Sequence, residues 1–149
     1  MDRKDQSCSP RALDFPQWRR QLDEEGYAVI PELLDADLLD HLRQESDRLI
    51  ATQTEEERAI QKSMGSMIHS GKAPGLAPLI ASRATLHALD LLGFKNNRFW
   101  TGYIISKPGP SPQLFWHQDC TMWNDPRALG LPSPMLFLMV YLVDTTPEN

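Results

Sequence analysis

The spacing of apolar positions changes once along this chain, from a three-to-four-residue rhythm up to about residue 92 to runs and alternations after it. Leu38, Leu39, Leu42, Leu49 and Ile50 recur at intervals that place them on one side of a helix. Asp35 stands just before them, and its carboxylate suits the free N–H groups of a first turn, so a helix is predicted from there to about Ala51. Residues 15–25 predict a shorter helix, with Pro16 in its first turn and Gly26 as its stop. Thr54 followed by Glu55, Glu56 and Glu57 has the composition of another helix entry, with acids at the positive end of the dipole and an extent to about Lys62. Residues 81–92 read as a further helix ended by Gly93.

The strand-like segments are 27–30, and then 99–106, 114–119 and 136–143. Residues 64–78 hold three glycines and two prolines and predict a long irregular loop, of a kind that can cover a site. Helices first and antiparallel strands later predict an α+β chain.

Composition narrows the function classes. With 149 residues, 41% of them hydrophobic and 23% charged, the chain can bury one core. Fifteen basic against 20 acidic residues give a net charge of -5, which argues against a nucleic-acid or anionic-membrane partner. No stretch approaches the ~20 apolar residues that span a bilayer, so no membrane insertion is expected. Cys8 and Cys120 provide no disulfide framework and suit a reducing, intracellular compartment. Residues 1–12 are expected to form a flexible N-terminal segment and 13–149 a single domain.

The residues that carry chemistry gather in one predicted strand. In Phe115-Trp116-His117-Gln118-Asp119 an imidazole and a carboxylate stand two positions apart, and side chains at i and i+2 of a strand share a face. Both can therefore reach one ion. A histidine and a carboxylate on one face are two of the three protein ligands of the non-haem Fe(II) facial triad, whose other positions stay open. A bare His-x-Asp is also a common surface hydrogen-bonded pair, so its meaning comes from its surroundings. Trp116 is predicted to face away from His117 and pack in the core.

Those surroundings are specific. The strand-like residues 98–107 run into Pro108-Gly109-Pro110-Ser111-Pro112, then comes Trp116-His117-Gln118-Asp119, and the apolar run 135–143 leads to Asp144-Thr145-Thr146-Pro147-Glu148-Asn149. Upstream, Gly26-Tyr27 follows one helix and precedes the long amphipathic one. This order resembles the phytanoyl-CoA dioxygenase family, from about residue 15 to 149.

The resemblance implies a partial double-stranded β-helix, or jelly roll, with N-terminal buttressing helices. It also implies an Fe(II)- and 2-oxoglutarate-dependent dioxygenase that hydroxylates a small organic or lipid-like substrate. His117 and Asp119 would be metal ligands. Lys107 shares strand parity with Tyr103 and Ile105, which makes Lys107 and Tyr103 candidates for holding the cosubstrate. Trp123, on the loop side of the motif, is the candidate for substrate contact. Related halogenases lack the carboxylate ligand, so Asp119 favours hydroxylation.

Members of the family continue toward a second metal histidine and a cosubstrate arginine, so this chain is expected to be an incomplete domain, inactive in isolation. Self-association through an open sheet edge would then follow. The alternative is a non-catalytic, truncated dioxygenase-like protein serving as an interaction module; a zinc hydrolase would need a further ligand at recognisable spacing. His41, His69 and His87 match no ligand position. A cytoplasmic location is expected, since Pro147-Glu148-Asn149 is no peroxisomal address, with the peroxisome left open because a truncated chain could have lost one.

Overall fold

The computed structural model describes residues 14–60, 66–107, 115–117, 119, 124–127 and 135–146. The segment 1–12 lies outside them. The chain divides into two compact units, Met1–Leu38 with Ala77–Trp100, and Leu39–Leu76 with Thr101–Asn149.

In the first unit, α1 spans Phe15–Glu25, with the Asp14 carboxylate accepting from the Gln17 N–H at 3.0 Å and Gly26 closing the helix at φ 80°. A left-handed residue of this kind is cheap only without a Cβ. A single turn, α4 (Ala77–Ile80), precedes α5 (Arg83–Leu91), whose cap is the Ser82 hydroxyl accepting from the Thr85 N–H. Arg19 of α1 closes this unit. Its guanidinium donates to the Leu92 carbonyl and to the Asp23 carboxylate, each at 2.8 Å, and lies 5.2 Å from the centroid of the Phe94 ring. Thr85, Ala88 and Leu92 are buried here.

In the second unit the first long element is α2 (Ala36–Ala51), which lies there for most of its length. Its start is set as the sequence predicts, by the Asp35 carboxylate accepting from the Leu38 N–H at 2.8 Å. The next helix, α3 (Glu55–Ile60), opens with a reciprocal cap: Glu57 N–H donates to the Thr54 hydroxyl, and Thr54 N–H donates to the Glu57 carboxylate. Then β1 (Ser66–His69) pairs antiparallel with β2 (Tyr103–Ser106), with Ile68 opposite Ile104 and His69 opposite Tyr103. Ile68 and Ile104 are both buried, and with Leu42, Leu49, Ala73 and Leu76 they make the core of this unit.

Two short 3-10 turns follow, Ser70–Lys72 and Pro74–Leu76, and a side-chain clasp ties α2 to the second of them. The His41 Nε2–H donates to the Gly75 carbonyl at 2.8 Å. Glu45, whose side chain is 13% exposed, takes two 2.8 Å bonds from Arg48 and packs against Gly75, where a methyl group would stand 2.6 Å from its Cγ and Cδ. A side chain at position 75 would force the Glu45 side chain to move.

The Arg48 guanidinium, ahead of the other contributions, holds the Glu45 carboxyl below the ordinary glutamate value. A carboxyl depressed in the folded state stabilises the fold above its unfolded value, and that stabilisation is lost as the pH falls through the lower, folded value. Glu45→Gln is therefore expected to destabilise the chain at neutral pH and to flatten the acid limb of its stability curve. Urea midpoints of both proteins from pH 7 down to pH 3 check this.

Three sequence expectations change. Residues 27–30 are not a strand: Tyr27 and Val29 are exposed, and no described segment pairs with them. The loop expected over 64–78 contains β1, both 3-10 turns and the start of α4, because the apolar pair Met67-Ile68 finds Ile105 and Ile104 across the ladder. Of the strands expected over 99–106, 114–119 and 136–143, only Tyr103–Ser106 forms among the described residues. The described residues thus show helices and one two-stranded antiparallel sheet, not a double-stranded β-helix. Leu114 and Gln118 lie outside them.

Candidate metal centre

His117 and Asp119 come together in the second unit. Nδ1 of His117 is 3.0 Å from the Phe115 carbonyl oxygen. A carbonyl only accepts, so Nδ1 carries the proton and donates. In the neutral ring this leaves the lone pair on Nε2, which lies 3.5 Å from Oδ1 of Asp119. Two acceptors thus face one another, an arrangement that a cation, or a second proton on the ring, reconciles. A backbone carbonyl holding the distal nitrogen is also the usual support of a metal-bound histidine. The side chains are 38% and 58% exposed, open enough for an ion to enter. The Phe115 ring packs against the imidazole, with centroids 5.4 Å apart.

Trp116 does not occupy the core. It is 97% exposed, and Phe99, Trp100 and Phe115 are exposed with it. Nothing among the described residues covers its ring. Among the described residues no group of three or more His, Cys, Asp or Glu side chains converges on a point, so the pair stands there without a third ligand. Trp123 and Cys120 lie outside the described residues.

Tyr103 and Lys107 sit on and just beyond β2, both exposed, with Ile105 on the same side and Ile104 turned into the core. Tyr103 lines a cleft of about 500 Å³ together with His69. Lys107 is not among the lining residues; the cation there is Lys72, paired with Glu57 at 2.9 Å. Sequence reasoning missed Lys72 because it lies in the glycine-rich stretch, where no periodicity marks which residues meet.

Two of the other histidines, His41 and His69, are held by hydrogen bonds of their own. Nδ1 of His69 accepts from the Gly71 N–H at 2.9 Å, so Nε2 bears the proton and donates to the Thr101 hydroxyl at 3.2 Å. Its ring meets Tyr103 edge-on, with centroids 5.3 Å apart. His41 is bound to Gly75, and His87 is exposed on α5. Changing His41, His69 or His87 to Ala is expected to leave Fe(II) affinity within error. An anaerobic metal titration of the three variants tests this, and a large loss for any one of them would contradict it.

The family model described as phytanoyl-CoA dioxygenase (PhyH) matches residues 22–149, and the chain belongs to that family. It is a family of oxygenases with a jelly-roll fold. No curated protein and no solved structure matches the chain. Among the described residues no helix is long and apolar enough to cross a membrane.

Proposed function

We propose that this chain carries part of the active site of an Fe(II)- and 2-oxoglutarate-dependent dioxygenase that hydroxylates a small organic or lipid-like substrate. The observation that supports this reading best is the His117–Asp119 pair, with Nδ1–H held by the Phe115 carbonyl and Nε2 aimed at the carboxylate. His117 supplies a borderline nitrogen ligand and Asp119 a hard oxygen, a donor set suited to a divalent first-row ion. Iron there would couple the oxidative decarboxylation of 2-oxoglutarate to succinate with hydroxylation of a C–H bond.

This chain's own residues would hold the ion from one side and keep the imidazole in the tautomer that can bind it. Tyr103 and Lys107 would place a phenol and an ammonium beside the cosubstrate, with Lys107 paired to a carboxylate. Trp123 would contact substrate. The test is Fe(II)-dependent formation of succinate from 2-oxoglutarate by a polypeptide carrying the whole family domain; no succinate above a metal-free control would sink the reading.

For the 149 residues alone we expect weak Fe(II) binding, no succinate and self-association. The two donors that the described residues bring together do not fix a three-point geometry. Residues 135–143 also present Phe137, Met139, Tyr141 and Val143 to solvent, with Met139 68% and Val143 72% exposed, an apolar surface of the kind that pairs with other chains. Size exclusion run beside the metal titration checks both points. A monomer that binds iron tightly and produces succinate would show that a third ligand lies within these residues.

The second reading, a non-catalytic interaction module built on the same fold, is favoured by that exposed surface. It predicts association without any dependence on His117 or Asp119.

A further inference from the structure

One histidine outside the metal pair makes a contact that depends on its protonation. His69 ends β1 and caps the 3-10 turn Ser70–Lys72 with its own side chain, its Nδ1 accepting from the Gly71 N–H at 2.9 Å. An aspartate or asparagine makes the same turn by accepting from the N–H two residues on; here an imidazole nitrogen replaces the oxygen. The fit is close, since a Cβ at position 71 would stand 3.0 Å from Nδ1.

The ring is fixed on its other sides as well. Nε2–H donates to the Thr101 hydroxyl at 3.2 Å, and the ring meets Tyr103, its partner across the ladder, edge-on at 5.3 Å. The turn carries Lys72, whose ammonium reaches Glu57 of α3 at 2.9 Å, and the chain then enters the core at Ala73 and Leu76. The capping bond therefore joins the end of β1 to a segment that also lines the cleft.

An imidazole that gains its second proton has two donors and no acceptor. At Nε2 nothing changes, because that nitrogen already donates to Thr101. At Nδ1 the contact inverts: two N–H groups face each other and the Gly71 N–H loses its acceptor. The other titratable residues lining the cleft are Glu57 of α3, Lys72 of the turn and Tyr103 of β2. Glu57 and Lys72 are engaged with each other, and Tyr103 meets the imidazole through its ring.

We infer that His69 is a proton-operated latch: with a neutral ring it holds the Ser70–Lys72 turn closed, and with a second proton it releases it. The inference stands on this end of the β1–β2 ladder and holds whether or not His117 and Asp119 bind iron.

Site-resolved NMR of the 149-residue chain between about pH 8 and pH 5, the range in which histidines change charge, tests it. At the upper end the ring nitrogens of His69 are expected to report the Nε2–H form. As the ring takes up its second proton, Gly71 amide exchange, corrected for its intrinsic pH dependence, should quicken roughly five-fold, the worth of one hydrogen bond, with the midpoint of the ring. His69→Asn keeps an acceptor two residues before the Gly71 N–H and does not titrate in this range, so its Gly71 protection should stay flat. An Nδ1–H ring at the upper end, or Gly71 protection that does not follow the His69 midpoint, would overturn the inference, and neither result needs a variant to fold. Protection lost in His69→Asn at the midpoint of the unmodified chain would overturn it too, because another group would then be responsible.

Discussion

Asp119→Ala is expected to abolish Fe(II)-dependent 2-oxoglutarate consumption in a polypeptide carrying the whole domain, and to weaken metal binding by this chain by about ten- to a hundred-fold or more, the scale already seen for outer-shell partners. Asp119 and His117 stand 3.5 Å apart, and among the described residues no third His, Cys, Asp or Glu joins them in a metal-sized group. Removing the carboxylate leaves a single imidazole, which neither offsets the charge of a divalent ion nor fixes a face of it. Asp119→Asn separates charge from shape: it keeps the side-chain volume and an oxygen donor, and should retain more affinity than alanine but less than aspartate. Turnover unchanged in Asp119→Ala would remove the carboxylate from the metal.

Leu42→Ala is expected to cost the fold about 2–5 kcal/mol, the range for truncating a leucine inside a packed core. Leu42 is 1% exposed and is the largest side chain that is fully buried among the described residues. The buried apolar set of its unit is short, with Leu49, Ile68, Ala73, Leu76 and Ile104 beside it, so little neighbouring volume can move to fill the gap. Leu39, three positions earlier on α2 and only part-buried, serves as the control, and its alanine variant should lose much less. Urea denaturation of the two variants measures the difference; equal losses would mean that the core does not lie where Leu42 points.

How much of this was legible in the sequence depended on whether a feature is local. The start of α2 follows from one residue, Asp35, and the start of α3 from Thr54 and Glu57, so those boundaries could be read directly. The end of α1 follows from Gly26 at φ 80°. Strands behave differently, because a strand exists only when another segment satisfies its backbone. Residues 27–30 and 136–143 have the composition of strands and find no pairing strand among the described residues, whereas Ser66–His69, lying between glycines, does find one.

The site divides in the same way. The approach of His117 to Asp119 was legible because two residues two positions apart need no knowledge of the rest of the fold. Trp116 was misplaced because the same parity says which way a side chain points but not whether anything covers it. Lys72 went unseen, since the cleft that gives it meaning is assembled from α2, α3 and β1 and leaves no periodic mark in the sequence.

The central claim is that His117 and Asp119 hold a divalent metal, and the most direct measurement is site-resolved paramagnetic broadening of the chain by substoichiometric Mn(II), an ion that such donors accept and that needs no turnover. The account predicts that signals of Phe115, His117 and Asp119 broaden first, that those of His41, His69 and His87 stay sharp at the same metal ratio, and that Asp119→Ala removes the selectivity. Broadening centred on the acidic residues of α3 or on His69, with His117 and Asp119 unaffected, would contradict it.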